Sequence, residues 1–208
     1  MVMRLSSKED SEKITWVRFP PFAPLIIMNI FSVNKDPVFS ARQLCNKHVI
    51  KMPTESMQML HTAFEKNKFK LFNPQHPCSV WARQSKDNFN WLIEHGLALC
   101  DEYKNRYLRK HKAQESIEWV RDNQNQLDFA ESKLTPFPRC FSEFKAELDK
   151  TIEDTHLAYQ EFYNLDKTWA QWHSLEKIPA WWRGNLEKSV DKSFVMGKYI
   201  KRQKNKNE

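Results

Sequence analysis

Hydrophobic positions recur at helical spacing along most of this chain, and the polar residues that interrupt them carry the information. Asp36-Pro37 supplies an N-cap side chain followed by proline at the first helical position, and Val38, Ala41, Leu44 and Cys45 follow on one face. A second helix is expected from a cap at Asn46 to about residue 66. Pro53 interrupts it, at a cost of about 3 kcal/mol unless the helix kinks or restarts there. Asn73-Pro-Gln-His-Pro77 makes a loop. A long helix is then expected over residues 79–110, with Trp81, Ser85, Asn88, Leu92, His95, Leu99, Tyr103 and Arg106 on its inward stripe. Residues 113–133 carry a weak helix at best, and Leu134-Thr-Pro-Phe-Pro138 reads as a linker. Helical spacing returns at 151–163 and 166–173, and Ile178-Pro-Ala-Trp-Trp-Arg183 closes the core. Strand-like alternation is almost absent. The expected fold is all-α, a compact single helical domain with one long central helix.

The domain is expected over residues 28–187. Residues 1–27 contain Arg18-Phe-Pro-Pro-Phe-Ala-Pro24, which suits neither a helix nor a central strand, and read as an N-terminal extension. Met28 opens the compact apolar run Asn29-Ile-Phe-Ser-Val33 and is the expected ancestral start. Residues 188–208 hold seven basic and two acidic residues and read as a flexible basic tail.

Composition narrows the function. Only 3 glycines in 208 residues argue against a Gly-rich phosphate loop or a Rossmann turn. The uncharged stretch at residues 19–30 is short and broken by three prolines, so no membrane span is expected. Cys45, Cys78, Cys100 and Cys140 form no Cys-x-x-Cys pair, and reduced thiols in a cytoplasmic protein are the simplest reading. His76-Pro77-Cys78 brings two ligand types close together, but the spacings match no zinc module, and neither metal nor cofactor is expected. Within the formal charge of +7, residues 28–112 are basic and 113–187 acidic. A basic first half and tail suit a polyanion, and a monomer is expected.

The chemistry concentrates in residues 45–60. On a helix, His48, Lys51, Glu55 and Gln58 fall in one line. A carboxylate one turn after an ammonium and two turns after an imidazole is equipped for acid–base work. Glu55 is the leading catalytic candidate, with Lys51 and His48 as supports. A structural Lys51–Glu55 ion pair and a satisfied helix histidine are the plainer alternatives. Ser85, Asn88 and His95 share a stripe with large apolar residues, so they need hydrogen-bond partners. With Gln58 they are the candidate substrate pocket, the alternative being a purely structural network.

In order along the chain, Met28-Asn-Ile-Phe, the Glu55 helix, His76-Pro77 leading into Trp81 and the long helix, and Pro179-Ala-Trp181-Trp182-Arg183 resemble the pyrimidine-dimer DNA glycosylase superfamily of the phage endonuclease V type. Cys45-Asn-Lys-His-Val-Ile-Lys-Met52 is similar to a Cys-acid-Lys-His-Val-x-Lys-Met signature in a group of phage and bacterial proteins, with Asn46 where an acid is usual. The resemblance implies a helical enzyme that excises a damaged or modified pyrimidine. It also implies a free α-amine as nucleophile, forming a Schiff base at the sugar C1′, with a carboxylate beside it. Two departures bear on the strand-cleaving step: an attached 1–27 segment leaves no amine at residue 28 or 29, and Thr54 stands where the family usually has arginine. Excision by Glu55 acting on water needs no amine, and Lys51 is a substitute amine. Lys47, Arg83, Trp181, Trp182 and Arg183 are the candidate DNA contacts. A base-modifying transferase on the same fold and a non-catalytic nucleic-acid-binding protein are the alternatives.

Overall fold

The computed structural model describes residues 29–64 and 73–193. The expected extension, its junction at Met28 and the tail beyond residue 193 lie outside the described residues. Seven α-helices follow in order: α1 Pro37–Gln43, α2 Asn46–His61, α3 Pro77–Gln84, α4 Lys86–Tyr107, α5 Gln114–Asn123, α6 Lys145–Thr151 and α7 Thr155–Asp166. The described residues contain no strand, only an isolated parallel bridge between Trp172 and Val190. The fold is all-α.

The 22-residue α4 is the axis, with α1, α2, α3 and α5 packed on it. One apolar cluster joins α1, the first half of α2, Leu99 and Tyr103 of α4, and Tyr159, Phe162 and Tyr163 of α7. A second joins Met59 and Leu60 of α2 to α3, to Phe89, Leu92 and Ile93 of α4, and to Ile117 and Val120 of α5. All eight stripe residues from Trp81 to Arg106 are buried. Gly96 permits the close approach of α2 to α4: a Cβ there would lie 3.1 Å from Ile117 Cδ1 and 3.2 Å from Ser56 Cβ.

Asp36 caps α1 as expected, its carboxylate accepting from the Phe39 amide at 2.7 Å. Other expectations are corrected. The long helix is divided at Ser85, whose extended backbone ends α3 and whose hydroxyl accepts from Asn88 N at 3.1 Å to cap α4. The apolar spacing continues across the break, so periodicity alone does not reveal it. Residues 167–173 leave the helix and turn into the bridge at Trp172, while α6 forms where no helix was expected. Pro53 lies inside α2, which continues from Asn46 to His61 without a break. Cys45 rather than Asn46 occupies its N-cap. Asn46 instead accepts from Arg106 Nη1 at 3.0 Å and donates to Asp191 at 3.3 Å.

Candidate active site

Residues 29–33 run buried across the start of α2. The Asn29 side-chain oxygen accepts from the amides of Ile30 and Phe31 at 2.8 and 3.1 Å, folding the chain back on itself. Its side-chain nitrogen donates to the Cys140 carbonyl at 2.8 Å. These bonds fix the Asn29 backbone nitrogen, which donates to Glu55 Oε2 at 3.2 Å. Phe31 then takes a left-handed φ of 50° and stacks on the His48 ring, centroids 4.1 Å apart. A bulky residue in that region is strained, and the aromatic packing on several sides holds it there.

Glu55 is only 2% exposed. Its Oε1 pairs with Lys51 Nζ at 2.9 Å across one helical turn, and the lysine end remains half exposed. Burial raises the Glu55 carboxyl above its ordinary range, while Lys51 and the Asn29 amide pull in the opposite direction. The carboxylate is therefore more basic than one in water, and Lys51 links it to the surface.

His48 faces another set of partners. Its Nδ1 meets the Tyr163 hydroxyl at 2.5 Å, and its ring meets the edge of Trp169. Burial drives it well below the usual histidine value, and Lys167, Lys51 and Lys47 add to the effect, so the ring is neutral near pH 7. Outside it, Lys47 Nζ sits 4.3 Å from the Trp169 ring centroid, and Trp169 is 42% exposed. Lys167 lies over Phe31 and Phe162. Three lysines and an open indole thus gather around the residues that hold Asn29 and Glu55. That combination suits phosphates and a base face.

The remaining candidates sit in tighter local networks. Ser85 donates to the Lys133 carbonyl at 2.6 Å. Asn88 donates to Trp81 O and Thr135 Oγ1 and accepts from Thr135 N. Together they tie residues 133–135 to the α3–α4 junction. His95 is fully buried and stacks on Trp91, and its ring nitrogens have no hydrogen-bond partner among the described residues; burial takes its pKa to about 3. Arg83 binds the Pro74 carbonyl at 2.6 Å, bracing the loop before α3. Gln58 is half-buried on α2. Trp182 is buried and donates to Ser189, Trp181 packs partly buried against the first cluster, and the exposed Arg183 pairs with Glu161. A depression of about 560 Å³ beside Gln171, Lys188 and Asp191 contains none of these residues.

The structure thus joins Lys51 to Glu55 directly and places His48 beside them through Phe31. Sequence reasoning did not single out Cys140, Tyr163, Lys167 or Trp169, and it named residue 29 only as a possible place for an amine, not for its side-chain contacts. The signal for Asn29 was an amide side chain inside an otherwise apolar run.

Residues 28–115 match the family model for pyrimidine dimer DNA glycosylase. That match supports the superfamily resemblance over the matched segment. No curated protein and no solved structure matches the chain. The matched segment contains Asn29, His48, Lys51 and Glu55, while Cys140, Tyr163 and Trp169 come from beyond it. No helix among the described residues is long and apolar enough to cross a membrane.

Proposed function

We propose that the protein is a DNA glycosylase that removes a damaged or modified pyrimidine, with Glu55 as the catalytic carboxylate. The observation that carries this reading is the bond from the Asn29 backbone nitrogen to buried Glu55. In this superfamily, resemblance implies an amine–carboxylate pair at the sugar, and Asn29 and Glu55 place a nitrogen and a carboxylate in that relation. While residue 28 is attached, the nitrogen is an amide without nucleophilic character. Glu55 then takes a proton from water as the oxygen bonds to C1′, and the base leaves with the electron pair of the glycosidic bond and acquires a proton. The products are a free base and an abasic site. If the chain is processed to begin at Asn29, the same nitrogen becomes a primary amine. It attacks C1′, the base departs, and loss of a proton with opening of the sugar leaves an imine that is ready for strand cleavage. Lys51 keeps the carboxylate ionised, and Lys47, Lys167 and Trp169 are suited to the backbone and an unstacked base.

The test compares the full chain, a chain trimmed to start at Asn29, and Glu55→Gln in each, on duplexes carrying a pyrimidine dimer or a modified pyrimidine. The expected outcome is free-base release by both chains, a borohydride-trapped protein–DNA adduct from the trimmed chain alone, and a loss of about a hundredfold or more in Glu55→Gln. Base release that survives Glu55→Gln would overturn the proposal.

A further inference from the structure

A second cluster lies on the other side of Asn29 and takes no part in the chemistry above. His76 caps α3, Cys78 stands in its first turn, and Cys140 arrives from the segment before α6. One donor atom from each lies within 4.8 Å of the other two, and the two sulfurs are 3.7 Å apart. A tetrahedral centre with metal–sulfur bonds of about 2.3 Å sets its two sulfurs about 3.8 Å apart. The sulfurs therefore already stand at the edge length such an ion requires. Two thiols and an imidazole form a soft donor set that favours Zn²⁺ over Mg²⁺ or Ca²⁺. Cys78 is buried, whereas His76 and Cys140 are partly exposed, which leaves an entry path. The other two cysteines, Cys45 and Cys100, are buried apart from this group.

We infer that His76, Cys78 and Cys140 form a binding site for zinc, with three protein ligands and a fourth position open to water. The ion displaces the two thiol protons and takes a ring-nitrogen lone pair of His76, whose Nδ1 accepts from the Cys78 amide at 3.2 Å. Cys78 lies in the first turn of α3, where helix N-terminal donors stabilise thiolate charge. Zinc would clamp the loop before α3 to residue 140. Because the Cys140 carbonyl receives the Asn29 side chain at 2.8 Å, the clamp would also steady the residue whose nitrogen meets Glu55.

The experiment titrates the full, reduced chain with Zn²⁺ alone and with Co²⁺ as a spectroscopic probe, following metal content after dialysis and thermal stability. One bound zinc per chain, a thiolate-to-cobalt charge-transfer band and a higher melting temperature with zinc are expected. Cys140→Ser should lose all three. The Cys140 side chain makes neither of its backbone bonds, so that variant keeps the Asn29 contact. His76→Ala should weaken binding by on the order of tenfold, and Cys45→Ser should leave it unchanged. No zinc uptake after reduction, a cobalt spectrum without thiolate charge transfer, or equal uptake by Cys140→Ser would overturn the site. Detection of only a Cys78–Cys140 disulfide that reduction converts to a metal-free dithiol would do so too. No DNA enters this experiment, so its failure leaves the glycosylase reading standing.

Discussion

Glu55 is held away from water while Lys51 and the Asn29 amide contact its two oxygens. Its folded pKa lies above the ordinary 4.5, chiefly because burial disfavours the charge. For such a group the folded state holds its proton more tightly than the unfolded state. The stability this confers is complete below the unfolded pKa and is lost as pH rises through the folded one. At neutral pH the carboxylate therefore costs stability. Glu55→Gln should melt at a temperature equal to or above the parent at pH 7–8, and its advantage should shrink as pH falls through the raised folded pKa and be gone by about 4.5; thermal melts across pH check this. Activity should fall in the parent as acid protonates the carboxylate. The Lys51–Glu55 pair was legible because helical spacing alone brings residues four apart together. The His48 environment was not, because its partners Phe31 and Tyr163 reach it through tertiary packing.

At the scale of elements, the helical character and inward face of α4 were legible, and the break before it was not. Both sides of Ser85 keep the same apolar spacing, and the cap is revealed by the hydroxyl's bond to Asn88 rather than by hydrophobicity. Asn88 then makes three buried side-chain bonds that join α4, the end of α3 and residue 135. Asn88→Ala leaves those groups unsatisfied and should destabilise the protein by about 3 kcal/mol, read from chemical denaturation. If Asn88 also touches a base, turnover per folded molecule falls as well. The continuity of α2 through Pro53 shows tertiary packing overriding local propensity: Pro53 is buried between Met52 and Glu55 on a helix anchored at both ends of α4.

Across the whole molecule, the least legible feature is a buried ionic junction. Arg106 is 1% exposed, pairs with Glu102 at 2.8 Å and reaches Asn46 and the Arg42 carbonyl; Lys177 also approaches Glu102. It joins α1, α2, α4 and the C-terminal segment. Arg106→Met strips Glu102 of its closest partner and should cost about 3–5 kcal/mol, whereas Arg106→Met with Glu102→Leu should recover much of that loss, measured by the same denaturation assay. The pattern of apolar residues foretold an all-α protein around a central helix, because burying a stripe is a local rule. It did not foretell which distant loops meet.

The Asn29 contacts have a consequence in the order of folding. The residue's side chain is secured by a carbonyl 111 positions away, and the neighbouring His48 by a hydroxyl 115 positions away. Closing loops of that length comes late relative to forming a helix. While a ribosome is still synthesising the chain, α2 can exist with Lys51 and Glu55 already paired, yet the Asn29 side-chain nitrogen lacks its Cys140 acceptor until residue 140 has emerged and Phe31 has no complete shelf until Tyr163 has. The nascent polypeptide thus carries the carboxylate long before the contacts that hold Asn29 against it are complete.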